Sequence, residues 1–209
     1  MKPASLLRQT LDLIEAMPLF VVTPLLRPWH THWGSRPTEV VSAMPGDELF
    51  PRAQFQANRA ITIAAPPSEV WPWLLQVGFG RAGFYSYDLL DSLGCPSADR
   101  VVPELQTIQV GDWVPTSPTV NDTTAFKVDS FEPVTWLPWR KPDSTWSWRL
   151  DPAAEGTRLV TRLRVVYDWH KPAAALLSVF LIEFGHFVMM RRMLKGIRRR
   201  AETRTEHQL

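Results

Sequence analysis

The apolar positions change period several times along the chain. Leu7, Leu11 and Ile14 recur at helical spacing, and Leu6, Leu13 and Met17 widen the stripe, so 5–17 reads as a short amphipathic helix. Such a helix packs on a domain or lies on a lipid surface. Prolines at 18, 24, 28, 37, 45 and 51 then interrupt any regular pattern. One short helix is expected over 35–43, with Ser35 at its cap and Pro37 in its first turn. From 55 to 64 the period becomes two, with Phe55, Ala57, Ile61 and Ile63 on one face and Gln56, Asn58 and Thr62 on the other: a half-buried strand. Pro66 and Pro67 stop it, and a short helix runs from Ser68 to about Val77 in spite of Pro72.

After a loop-rich stretch, strands are expected at 107–110, 113–115, 124–131, 134–139, 145–150 and 157–169. Turn-forming residues separate them: Gly111-Asp112, Asn121-Asp122, Lys141-Pro-Asp143 and 151–156. Lys171-Pro172 ends the last strand. A long helix follows over 173–200, its most continuous stripe being Leu176, Phe180, Glu183, Phe187, Met190, Leu194 and Ile197. Consecutive strands joined by short turns make an antiparallel sheet of six or seven strands. A curved sheet must bury one face, and the long apolar helix is the available cover. The fold class is therefore α+β, with an N-terminal extension (1–54), a sheet-and-helix domain (55–203) and a polar tail (204–209). A cavity between the sheet and the helix is the expected place for an apolar ligand.

Composition narrows the classes. The 209 residues are 45% hydrophobic and 21% charged, proportions of a globular chain large enough to bury a core without staples. Ten Trp give rigid aromatic surface suited to a core and to an apolar ligand. A single cysteine, Cys95, excludes an internal disulfide framework and points to a reducing, cytoplasmic setting. From Arg191 onward seven basic residues stand against Glu202 and Glu206, a net of +5, leaving −3 on the rest of a chain whose total is +2. The body is thus no nucleic-acid-binding surface. The basic end suits a solvated helix terminus or contact with an anionic membrane. Neither 17–26, which is short and holds two prolines, nor 173–190, which holds Glu183 and His186, reaches the roughly 20 apolar residues of a membrane span.

Several segments together resemble a known family. They are Arg59-Ala-Ile-Thr-Ile-Ala-Ala-Pro-Pro67, Val70-Trp-Pro-Trp-Leu-Leu-Gln76, Gly80-Arg-Ala-Gly-Phe-Tyr-Ser-Tyr-Asp88, Pro103-Glu-Leu-Gln106, Val110-Gly-Asp112, His186-Phe-Val-Met, Arg191-Arg-Met-Leu-Lys-Gly-Ile197, Arg200-Ala-Glu202 and Met44-Pro-Gly-Asp-Glu-Leu49. Over about 30–203 the chain resembles a bacterial branch of the SRPBCC superfamily, the START-related, polyketide-cyclase-like helix-grip proteins. The resemblance implies a helix-grip fold and a ligand cavity. It implies no single activity, because the superfamily holds lipid carriers, hormone and metabolite binders, cyclases and ring-hydroxylase subunits.

Individual motifs narrow the chemistry further. Gly78-x-Gly80-x-x-Gly83 has the spacing of a dinucleotide fingerprint, but a helix precedes it and the aromatic loop Phe84-Tyr-Ser-Tyr87 follows, the wrong context for pyrophosphate. Glu183-x-x-His186 has the spacing of a di-iron helix motif without the second copy such a site needs, so no metal and no cofactor are expected. Cys95 lies in a polar loop with no activating His near it in sequence.

The polar candidates that remain are Arg81, Tyr85, Tyr87, Asp88, Glu104, Gln106, Glu183 and His186. Glu183 stands out because it interrupts an apolar stripe, where a buried carboxylate needs a partner. That partner could be Arg81, a tyrosine or a strand arginine. Trp136, Trp146 and Trp148, with Phe180 and Phe187, are the expected aromatic lining.

Three functions stay open on these residues. The first is a carrier or sensor of a hydrophobic small molecule or lipid. The second is a cofactor-independent cyclase, isomerase or hydrolase with Glu183 or Asp88 as acid/base and Arg81 stabilising oxyanion charge. The third is a module that contacts a membrane or partner through its N-terminal segment and basic tail.

Overall fold

Strands β1 (Phe55–Ile63), β2 (Trp113–Pro115), β3 (Ala125–Val128), β4 (Trp136–Lys141), β5 (Ser144–Ala153) and β6 (Gly156–Val165) form one antiparallel sheet in the order β1-β6-β5-β4-β3-β2. The structure, a computed structural model, describes residues 3–206, and of 3–5, 24, 183, 184 and 204–206 the backbone only. The tail expected over 204–209 thus lies outside the described side chains. The first strand pairs with the last, Phe55 opposite Val165 and Ile63 opposite Thr157. The sheet is therefore open, a meander from β2 to β6 with β1 added beside its last strand and β1 and β2 at the edges. The β5–β6 hairpin turns at Gly156, where φ is +124° and a Cβ would stand 2.3 Å from the Ile63 carbonyl oxygen, a position that only glycine fits.

The expected strand over 107–110 is absent. Asp112 accepts the Gln109 amide at 2.7 Å and the Gly111 amide reaches the Val128 carbonyl, so the segment is a turn held by a side chain. The last strand ends at Val165, four residues early. There the backbone leaves the ladder, with the Val166 amide on the Asp143 carbonyl and the Tyr167 amide on the Gln54 side chain.

Helix α1 (Pro3–Val22) runs through Pro18, beyond the expected end at 17. A 3-10 turn (Thr23–Leu26) leads to α2 (Arg27–Thr31) and α3 (Pro37–Val41). The segment 34–50 covers the convex face of the sheet, and three strand arginines account for this. Arg162, 3% exposed, donates to Asn58 Oδ1, to Asp47 and to the carbonyls of Glu39 and Val40. Arg158 makes a two-pronged pair with Glu39, and Arg164 reaches the Phe50 carbonyl. Burial pushes the Glu39 carboxyl up, but Arg158 and the Arg36 amide outweigh it and hold it below its ordinary value. Under these pairs Met44 packs on Ala60 and Val160.

On the concave face lie Phe55, Ile61, Trp139, Trp148 and Leu159, packed against α4 (Pro67–Leu75) and the C-terminal helix. That helix has three parts: α6 (Pro172–Phe180), a π-helical segment (Leu181–His186) and α7 (Phe187–Glu206). The wider turn corrects the expected stripe. Before it, Leu176 and Phe180 are exposed; after it, Met190, Leu194 and Ile197 enter the core. One inserted residue rotates a helix by about 100°, so positions on one face by counting lie on two in space. The architecture is a helix-grip: a curved antiparallel sheet closed over a long C-terminal helix.

Candidate functional site

The cleft lies beside the π-helical segment, which lines it with Leu181, Ile182, Gly185 and His186. Its volume is about 430 Å³, within the roughly 300–1,000 Å³ usual for small-molecule sites. The sheet supplies Phe126, Trp146, Leu163 and Val165, the helix Ile182, Met189, Met190 and Met193, and the loop around α5 (Asp88–Asp91) Phe84 and Leu90. Three flexible thioethers on one wall let such a lining adapt to an irregular apolar shape. Below this lining the rings of Trp139, Trp146 and Trp148 pack edge-on or tilted at centroid distances of 5.1–5.6 Å. The Trp146 indole donates to Thr161 Oγ1 at 3.0 Å, which locks that ring in the cleft wall.

Polar side chains in the cleft wall include Ser86 and Asp91 of the loop, Ser178 and His186 of the helix, and Thr116, Lys141, Asp143 and Ser144 of the sheet and its turns. Burial, with the neighbouring Asp88 charge adding to it, pushes the Asp91 carboxyl up to about 7. The Ser92 and Ser86 hydroxyls lie near enough to favour the ionised form slightly, but Ser86 Oγ gives its well-formed bond to the Met189 carbonyl at 3.0 Å. Both Asp91 oxygens are buried without a full hydrogen bond of their own. A carboxyl that ionises near neutral pH inside an apolar cleft can give or take a proton at either oxygen.

His186 is held by Arg59, which lies on the concave face of β1 and is 1% exposed. Arg59 donates through Nε to the His30 carbonyl at 2.9 Å and through Nη1 to His186 Nδ1 at 3.0 Å, and its guanidinium stacks 5.4 Å from the Phe187 ring centre. A guanidinium has no acceptor, so His186 Nδ1 must be the unprotonated nitrogen and Nε2 carries the hydrogen. Burial first, then the Arg59 and His30 charges, hold the His186 pKa well below its ordinary value. The imidazole is neutral at pH 7, a donor and not a second cation.

The residues singled out from sequence divide accordingly. Trp146 lines the cleft, and Trp148 lies fully buried behind it. Trp136 pairs across from Arg149 on the convex face. Arg81 donates to the Leu75 carbonyl at 2.9 Å. Tyr85, at φ +57°, donates its hydroxyl to the Trp73 carbonyl at 3.1 Å, and burial pushes that phenol up. Tyr87 packs between Phe20 and the Arg192 guanidinium. Asp88 accepts from the Ser97 hydroxyl, which in turn accepts the Tyr85 amide, so it braces its loop.

Glu104 is exposed in the 3-10 turn Pro103–Leu105, and Gln106 joins the Gln76 side chain and the Val102 carbonyl. Phe180 is exposed, and Phe187 packs against Trp29 and Trp33 at the start of α7. The Glu183 side chain lies outside the described residues. Among the described residues none between 18 and 28 lines the cleft. Among the described residues no group of three or more His, Cys, Asp or Glu is placed to hold a metal ion.

Asp91 and Arg59 were missed by sequence reasoning. Arg59 was legible in principle, since the alternation over β1 puts it on the apolar face. Asp91 carried no local signal.

No family model and no curated protein matches the chain. Solved structures similar to it include the Polyketide_cyc-like protein Cgl2372 from Corynebacterium glutamicum, 18% identical, covering 73% of this chain and 94% of that one with a TM-score of 0.41. KanY is 14% identical, covering 71% and 98%, with a TM-score of 0.44. The di-domain ARO/CYC StfQ of the steffimycin biosynthetic pathway is 13% identical, covering 77% and 54%, also with a TM-score of 0.44.

Proposed function

We propose that the chain binds an amphipathic hydrophobic small molecule or lipid in the cleft between sheet and helix. The observation that carries this is the cleft itself: about 430 Å³ walled by Trp146, Phe126, Leu163 and three methionines, with polar side chains the minority of its lining. An apolar body fits the wall, and an oxygen-bearing end finds Asp91, Ser86 and the His186 imidazole. Titration with an apolar fluorophore tests it: energy transfer from Trp146 should saturate, and a Val165→Phe variant, filling the cleft from β6, should weaken binding by roughly ten-fold or more. Equal binding by a folded variant refutes the site.

A second reading is favoured by one observation, the Asp91 carboxyl that titrates near 7 in the cleft wall. On that reading the chain is a cofactor-independent cyclase, isomerase or hydrolase. Asp91, in place of the Glu183 or Asp88 expected from sequence, moves the proton, and His186 donates from Nε2. Asp91→Asn should then bind ligand as the parent does and lose turnover. Unchanged turnover removes this reading and leaves the carrier.

A further inference from the structure

Helix α1 is docked with its apolar face outward. The side turned to the domain carries Gln9, whose amide donates to the Gly94 carbonyl at 3.3 Å, Asp12, which pairs with Arg192, and Ala16 with Phe20 against the start of α7. The other side carries Leu7, Leu11, Ile14, Met17 and Val21, with Leu7 64% and Val21 62% exposed. At about 100° per residue the exposed apolar positions from Leu6 to Val22 fall within an arc of about 160° that holds no charged residue. A helix whose only partner were the domain would be expected to turn this stripe inward.

A second run adjoins it. The end of α1 and the Thr23–Leu26 turn pack on the π-helical segment, where Phe20 approaches Gly185, and that segment continues α6. On α6 and its end Leu176, Leu177, Phe180 and Leu181 are each more than half exposed, and Leu25 on the turn is 82% exposed. Neither 16–26 nor 172–182 contains a charge. Charges of both signs and indoles stand near it: Arg8, Arg27 and Lys171 against Glu15 and Asp168, the last paired with Lys171, with Trp29 and Trp169 about half exposed. Leu181 belongs to this surface and to the cleft wall at once.

Exposed apolar surface of this extent, on two elements that meet at the π-helical segment, marks an interaction site. A charge-free apolar face with tryptophans beside it is the chemistry of a bilayer interface, in which apolar side chains enter the acyl boundary and indoles sit among headgroups. No described helix is long and apolar enough to cross a membrane, so the contact lies in the plane of the surface. We propose that the outward face of α1 together with α6 is a docking surface for a lipid bilayer. The basic end of α7, suggested by sequence for such contact, is not needed for it.

The test is co-sedimentation of the full chain with vesicles of phosphatidylcholine, with and without phosphatidylglycerol. The chain should pellet with both to a similar extent, and high salt should not release it. The pair Leu11→Glu and Leu177→Glu, both at exposed positions, should lower the bound fraction roughly ten-fold or more while leaving the thermal midpoint unchanged. Quenching of Trp29 and Trp169 by brominated lipid in the unaltered chain reads the same contact without any substitution. A chain that stays in the supernatant with both vesicles overturns the proposal. So does a lipid-free dimer in sedimentation velocity that the same pair dissociates, because the face then belongs to a second copy. The surface stands whether or not the cleft carries a ligand, since vesicle binding is read without one.

Discussion

Replacing Asp91 by Asn should make the protein more stable at alkaline pH, and by an amount that depends on pH in a defined way. In the native state this carboxyl ionises at about 7, against an ordinary value of 3.8. The direction follows from proton counting. Between these values the native state holds a proton that the unfolded chain has released, so unfolding releases it, and stability falls as pH rises by about 1.4 kcal/mol per pH unit. Above about 7 both states are ionised and the cost is constant, up to about 4 kcal/mol. Below about 4 both are protonated and the cost vanishes. Asn is nearly isosteric and does not titrate, so the difference between variant and parent should be near zero at pH 4, grow through pH 7 and level off by pH 8. Urea unfolding at these three pH values, read by tryptophan fluorescence, measures it. A difference that does not change with pH, or a variant less stable throughout, would show that Asp91 is already ionised at low pH and that its burial has been misjudged.

Other substitutions test other parts of the account. His186→Gln should keep an acceptor for Arg59 and remove the acid loss that a depressed histidine imposes: full stability above about 6.5, falling below it as the unfolded chain takes up the proton. Urea midpoints of variant and parent should therefore converge toward pH 7 and separate at pH 5, with the variant losing less. Gly196→Ala should destabilise by about 2 kcal/mol although alanine is the better helix former, because its Cβ would stand 2.3 Å from the Tyr85 carbonyl oxygen; a raised thermal midpoint would refute that close approach. Arg162→Ala should cost about 2–3 kcal/mol in urea unfolding by removing the donor to Asn58 and two carbonyls, while Asp47 keeps Arg164 and the Met44 amide, whereas Lys127→Ala, at an exposed pair with Asp122, should change stability by less than about 0.5 kcal/mol.

The sheet was legible because its strands obey one local rule. In β6 the alternation of Leu159, Thr161, Leu163 and Val165 faces the core as counted, and Arg158, Arg162 and Arg164 face the other way. What the alternation does not show is that this other face is also covered, since Glu39 and Asp47 reach it from over a hundred residues away. The helix stripe was misread in phase at the π-helical segment, which has no signature in its apolar spacing. The amphipathic helix at the N-terminus was recognised, but the direction of its stripe depends on which side the domain takes up. Candidate site residues chosen for being polar in unusual places, Arg81, Tyr85 and Asp88, proved to satisfy carbonyls, amides and hydroxyls around their own loop. Asp91 owes its character to burial in the cleft wall and to the neighbouring Asp88 charge. Burial of that kind is a property of the assembled fold.

The central claim is that the cleft holds an apolar molecule, and native mass spectrometry of the full chain, purified without detergent, tests it most directly. The account predicts a mass above that of the polypeptide, lost on denaturation, recovered as a small molecule with an apolar body and a polar end, and absent from the Val165→Phe variant. If the molecule stays bound to a folded Val165→Phe chain in the same proportion, the ligand lies outside the cleft. If the parent carries none and also fails to take up an apolar fluorophore, the binding function is contradicted.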